Sequence, residues 1–166
     1  MSKQIKYLVM DVDGTLTDGK IYMGNQGELM KAFNIKDGAG IHDILIPNGI
    51  MPVIITGRAS DIVKRRCLEL GITELYQGVS DKVSKLKEVM SEKQCGLESV
   101  AYIGDDINDI RSMFLIKQSG GIVGCPADAV AEVKAISDFI SSKNGGEGAV
   151  RDFTEYIVKY NKDGNM

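Results

Sequence analysis

Three short apolar runs, each closed by a polar cluster, constrain this chain more than any other feature. Ile5 to Met10 runs into Asp11-Val12-Asp13-Gly14, Met51 to Ile55 into Thr56-Gly57-Arg58, and Val100 to Ile103 into Gly104-Asp105-Asp106. Continuous runs of this length suit strands buried on both faces, which pair in parallel and are covered by helices on each side. The intervening segments carry a helical period. Val63, Cys67 and Leu70 are followed by Gly71 as a stop, and Val83, Leu86 and Met90 fall within Asp81 to Gln94. A further helix is expected from about Asn108 to Lys117, and a last one with Val150, Phe153, Ile157 and Tyr160 on one face. Asp37 to Asn48 also reads as helical, with Pro47 as its end. Gly121 to Val123 reads as another short strand, and Asn161 to Met166 as a polar tail. The glycine-punctuated residues 19–33 predict a β-hairpin turning at Asn25-Gln26-Gly27.

Strands alternating with helices predict a three-layer, doubly wound α/β fold with a parallel sheet. The length of 166 residues fits one domain, 1–166, with a hairpin insertion and no second cap domain. Ligands of such sheets bind beyond the carboxyl ends of the strands, where Asp11, Thr56 and Asp105 all fall. Three distant segments should therefore meet at one site.

Bulk properties narrow the partners. A net charge of −3 argues against nucleic acid and against an anionic membrane surface. No apolar stretch approaches the roughly 20 residues of a membrane span, and the start, Met1-Ser2-Lys3-Gln4-Ile5-Lys6, lacks the pattern of a secretory leader. Cys67, Cys95 and Cys125 are odd in number and have no close pair, as in a reduced cytoplasmic protein.

Asp11 and Asp13 lie two apart at a strand end, so both can face the crevice while Val12 packs away. Gly14 permits a sharp turn and a close approach of backbone amides to an anion. With Asp105 added, the carboxylates would repel one another without a cation, and oxygen ligands of this kind suit Mg2+. One carboxylate can then attack phosphorus while another handles the leaving-group proton. Thr56 offers a hydroxyl and an amide, and Lys82 an ammonium, for the oxygens of a transferring phosphoryl group.

Asp11-Val12-Asp13-Gly14-Thr15-Leu16-Thr17 resembles the first motif of the haloacid dehalogenase superfamily. Thr56 resembles the second, Lys82 the third, and Gly104-Asp105-Asp106-Ile107-Asn108-Asp109 the fourth. The resemblance implies a Mg2+-dependent phosphatase in which Asp11 is nucleophile and metal ligand. It implies Asp13 as acid/base, binding metal through its carbonyl, Asp105 as metal ligand, and Thr56 and Lys82 as phosphate holders. Phe33-Asn34-Ile35-Lys36-Asp37-Gly38, Ile55-Thr56-Gly57-Arg58, Leu75-Tyr76-Gln77-Gly78 and the segment Gly145 to Arg151 resemble the capless 3-deoxy-octulosonate 8-phosphate phosphatase subfamily, which includes nononate 9-phosphate phosphatases.

That closer resemblance implies a phosphorylated sugar acid as substrate, held by Asp13, Asn34, Asp37, Gly38, Thr56, Gly57, Arg58, Arg66 and Lys82. It also implies a homotetramer whose hairpins assemble together, with active sites at subunit interfaces and the Gly145 to Arg151 segment near an adjacent pocket. Arg58 follows the octulosonate pattern. His42, where these enzymes usually carry Arg, and Glu147, in place of the Arg of Gly-Gly-Arg-Gly, depart from it. Alternatives are a nonulosonate 9-phosphate phosphatase, another superfamily phosphotransferase or nucleotide phosphatase, and a non-catalytic tetramerisation module. His42 reads as a structural or rim residue, and Lys64 and Arg65 as solvated helix surface. Asp106 and Asp109 read equally as orienters of the metal or Lys82 and as helix caps. The glycines 145, 146 and 148 could be only a flexible lead-in to the last helix.

Overall fold

The computed structural model describes residues 4–164; the first three residues of the N-terminal reading, and Asn165 and Met166 of the expected tail, lie outside that range. The chain runs β1 (Tyr7–Met10), β2 (Tyr22–Gly24), β3 (Gly27–Met30), α1 (Ile35–Ala39), β4 (Met51–Ile55), α2 (Asp61–Leu70), β5 (Glu74–Tyr76), α3 (Lys82–Glu92), β6 (Val100–Ile103), α4 (Ile107–Gln118), β7 (Ile122–Cys125), α5 (Ala131–Ile136), β8 (Phe139–Ile140) and α6 (Ala149–Asp163). Six strands form one sheet in the order β5-β4-β1-β6-β7-β8, and β2 and β3 form a separate hairpin. Every pairing in the large sheet is parallel. The three apolar runs are thus neighbours, with β1 between β4 and β6, and their carboxyl ends align.

Alternation along the strands divides the core in two. Leu8, Met10, Ile54 and Ile103 face Ile41, Leu45, Val63, Cys67 and the α6 residues Val150, Phe153 and Ile157. Val9, Val53, Ile55 and Tyr102 face Leu86, Val89, Met113, Ile116 and Val133. Both sheet faces are covered by helices, as the unbroken apolar runs require. Among the described residues no helix is long and apolar enough to cross a membrane.

Several expected boundaries move for local reasons. The first strand starts at Tyr7, not Ile5, because the Asn161 side chain takes both backbone groups of Ile5: it accepts from the Ile5 amide and donates to the Ile5 carbonyl, each at 2.8 Å. Asn161 to Asp163 are accordingly the end of α6 and not a polar tail. Tyr160 departs from the buried face, being exposed, and Val158 packs instead. The helix expected over Asp37 to Asn48 begins at Ile35, capped by the Asn34 side chain, which accepts from the Lys36 amide. It continues as a π-helical turn over Gly40–Leu45 and a 3-10 turn over Ile46–Asn48, which accommodates Pro47 near its start. β5, α5 and β8 were not anticipated, since stretches of two to six residues carry too little periodicity to read.

Candidate active site

Asp11 follows β1 directly. Its amide donates to the Ile103 carbonyl at 3.2 Å, which fixes it to the end of β6. The chain then turns tightly, with the amides of Thr15, Leu16 and Thr17 all directed at the Val12 carbonyl. Val12 is buried in the core, so Asp11 and Asp13 are delivered together to the opposite side. Gly14 has φ of +87°, and a Cβ there would stand 2.0 Å from an Asp105 carboxylate oxygen. Its missing side chain is what lets Asp105 reach across the turn, where Asp105 accepts from the Thr15 hydroxyl at 3.0 Å.

Lys82 opens α3 and is buried. Its ammonium lies 3.0 Å from Asp11 Oδ1 and 2.8 Å from Asp109 Oδ1. Asp109 is fully enclosed, and its oxygens are taken by four donors: Lys82, the Tyr102 hydroxyl at 2.7 Å, and the amides of Asp105 and Asp106. It therefore acts as an orienter of Lys82 and of the loop after β6, and shares a capping box with Asp106 at the start of α4. Asp106 is exposed and caps the Ile107 amide. Both readings left open for this pair are realised in Asp109.

Carboxylate oxygens of Asp11, Asp105 and Asp109 lie within 4.8 Å of one another. Burial, with Asp109 close by, pushes the Asp11 carboxyl up to about 6, although Lys82 pulls the other way. Burial and the neighbouring Asp11 and Asp109 push Asp105 up to about 7. Two acids so strained in their charged form, with their oxygens close together at one cleft, fit a hard divalent cation. Asp109, with both oxygens occupied, fits that role less well than Asp11 and Asp105.

Asp11, Asp13, Thr56, Gly57, Arg58 and Asp105 line one cleft of about 360 Å³. Thr56 is held at the end of β4 by its amide, which donates to the Tyr76 carbonyl at 3.0 Å. Arg58 is about half exposed, 3.9 Å from Asp13 and 3.7 Å from Glu28. Sequence reasoning missed Lys31 and Glu28. Lys31, just after β3, bonds Asp13 and lies 2.8 Å from Glu28, and these two carboxylates outweigh burial and raise its ammonium above the ordinary lysine range. Only the packing of the hairpin against the turn after β1 reveals them.

Asn34, Asp37, Gly38 and Arg66 do not join the cleft within the chain. They line a narrow apolar pocket on the other side of the turn, with Val12 and Leu16. Asp37 is buried and accepts from the Arg151 amide at 2.9 Å and from the amides of Gly148 and Val150, so it caps α6. Burial nonetheless raises its carboxyl. The Arg66 guanidinium lies over the Phe33 ring and reaches Glu69 at 3.2 Å. The glycines of the 145–148 segment are not a loose lead-in: a Cβ on Gly145 would lie 1.9 Å from the Gly14 carbonyl, so the segment packs on its own chain's turn after β1. Arg151 is likewise in its own chain, against Gly40. His42 is exposed, with Nδ1 2.6 Å from Asp43, and Lys64, Arg65 and Glu147 are exposed.

A family model described as haloacid dehalogenase-like hydrolase matches residues 68–153. The 3-deoxy-D-manno-octulosonate 8-phosphate phosphatase of Yersinia pestis is 44% identical over 154 residues, covering 93% of this chain and 80% of the relative. The crystal structure of the phosphatase of that name from Yersinia pestis superposes with a TM-score of 0.90 at 41% identity, covering 99% of this chain and 86% of the other. The corresponding Moraxella catarrhalis phosphatase, crystallised with magnesium, phosphate and KDO, gives a TM-score of 0.89 at 38% identity, covering 99% of this chain and 91% of the other.

Proposed function

The chain belongs to the haloacid dehalogenase-like hydrolases, and from that premise we propose that it is a Mg2+-dependent phosphatase of 3-deoxy-D-manno-octulosonate 8-phosphate, working as a single domain over residues 1–166. The observation that carries the reading is the meeting of the Asp11 and Asp105 carboxylates, with Lys82 against Asp11, on the floor of an open cleft.

Asp11 is the nucleophile. Its oxygen forms a bond to phosphorus as the ester bond to the sugar oxygen breaks, giving an aspartyl phosphate and splitting hydrolysis into two steps. Asp13 gives a proton to the departing sugar oxygen, then takes one from the water that attacks phosphorus and releases Asp11 and inorganic phosphate. Thr56 and Lys82 hold phosphoryl oxygens, and Lys82 can do so because Asp109 fixes it. Asp11, Asp105 and the Asp13 carbonyl would hold Mg2+, which when bound offsets the charge of the phosphoryl oxygens. Arg58 and Gly57, on the cleft wall, face the sugar acid.

Two further parts of the reading concern context. The hairpin leaves Met23, Leu29 and Met30 exposed, which supports assembly into a homotetramer through its copies. The three free cysteines support a cytoplasmic site of action. Turnover of the octulosonate 8-phosphate, a nononate 9-phosphate and N-acetylneuraminate 9-phosphate, each with Mg2+, tests the assignment. The octulosonate ester is expected to give the highest kcat/KM; if none of the three exceeds a simple aryl phosphate, the substrate class is wrong.

A further inference from the structure

Lys31 turns inward at the end of the hairpin. Its neighbours Met30 and Ala32 are exposed, yet its own side chain is only 2% exposed. The ammonium donates to Asp13 Oδ1 and pairs with Glu28 Oε1 at 2.8 Å, while the other Glu28 oxygen accepts from the Ser60 hydroxyl. Asp13 Oδ1 is thereby committed to the hairpin. Its Oδ2 is left towards Arg58 on the cleft wall. Without the Lys31 cation, Asp13 and Glu28 would face each other as like charges and the Asp13 side chain would be free to turn. Proton transfer needs the acid within hydrogen-bond reach of the leaving oxygen, so its aim matters as much as its presence.

We propose that Lys31 is a positioning residue that aims the Asp13 carboxylate into the cleft, so that the seating of the hairpin sets the geometry of proton delivery. Lys31 does not touch substrate; it acts through Asp13, and the inference rests on the reading of Asp13 as acid and base given above. Its signature is selectivity by leaving group. A nitrophenolate departs without a proton, whereas a sugar alkoxide does not.

The test compares kcat/KM, which counts steps only up to ester cleavage, for p-nitrophenyl phosphate, phenyl phosphate and the octulosonate 8-phosphate, in the full-length enzyme with Mg2+. Lys31→Met is expected to lose about 100-fold on the octulosonate ester, less than about fivefold on p-nitrophenyl phosphate, and an intermediate amount on phenyl phosphate. Lys31→Arg, which keeps a cation between the two acids, should recover most of the loss. Equal losses on all three esters, or none on the octulosonate ester, overturn the proposal. Should Lys31→Met fail to fold by circular dichroism, Glu28→Gln decides by the same ratio, since it loosens the second anchor of the lysine; equal losses there overturn the proposal too. Wild-type enzyme that hydrolyses none of the three esters would instead overturn the phosphatase reading beneath it.

Discussion

The floor of the cleft and its hairpin wall both pair a lysine with two carboxylates, yet they are held in place differently. On the floor, Lys82 joins Asp11 and Asp109, whose backbones belong to buried strand ends and to a helix start locked by a capping box. On the wall, Lys31 joins Asp13 and Glu28, and the hairpin that carries it buries little of its own: Met23, Leu29 and Met30 are exposed. The floor is positioned by the core, and its charges are arranged on top of that. At the wall the charges themselves do much of the positioning. In the proposed mechanism, a rigid scaffold therefore carries the group that makes the covalent bond, and a lighter element steers the group that moves protons.

Breaking the floor should have the largest effect. Asp11→Asn is expected to lower phosphate release by a factor on the order of 10⁴ or more while leaving the circular dichroism spectrum unchanged; unchanged turnover in that variant would rule out the covalent route. Lys82→Ala leaves Asp109, fully enclosed, without its cation, and should cost about 3–5 kcal/mol in urea unfolding. Lys31→Ala, between acids that keep some access to water, should cost under about 2 kcal/mol. Equal losses in the two variants would erase the contrast between floor and wall.

Acidity sharpens it further. Asp11 and Asp105 are ordinary carboxyls near 3.8 in the unfolded chain but are held near 6 and 7 in the fold. Raised values mean that the folded state prefers the protonated acids. Their favourable contribution is full below the unfolded value and is lost as pH rises through 6 and 7. The metal-free protein should thus melt lower at pH 8 than at pH 5, by an amount on the order of 5 °C from this source. Added Mg2+ should raise the melting temperature more at pH 8 than at pH 5; an equal rise at both would mean that the ion does not bind between these acids. The smallest expected effect is at Asp37, behind the turn. Asp37→Ala removes the cap of α6 and should cost roughly 1–2 kcal/mol with little change in kcat/KM. A large loss of activity with that small loss of stability would place Asp37 at the sugar acid.

Most of the sheet was readable in advance because a parallel strand is buried on both faces and so must be apolar throughout. Asp11, Thr56 and Asp105 were legible as one site for the same reason, since strand ends in such a sheet share an edge. The α2 stop at Gly71 was legible because a left-handed cap, here φ of +73°, favours glycine. The capping of α6 by Asp37 was not, because a polar residue in a motif carries no sign in the sequence that it accepts from a helix start 114 positions away.

What the amino-acid order determined alone is the alternation of buried strands with amphipathic helices and the reactive groups at the strand ends; these depend on local periodicity and on residue chemistry. Only the tertiary structure decided that Asp109 is saturated by four donors, that Lys31 reaches Asp13, and that Gly145 rests on Gly14. Those relations join segments far apart in the chain, and a hydrogen bond or ion pair is satisfied by proximity in space, on which spacing in sequence is silent.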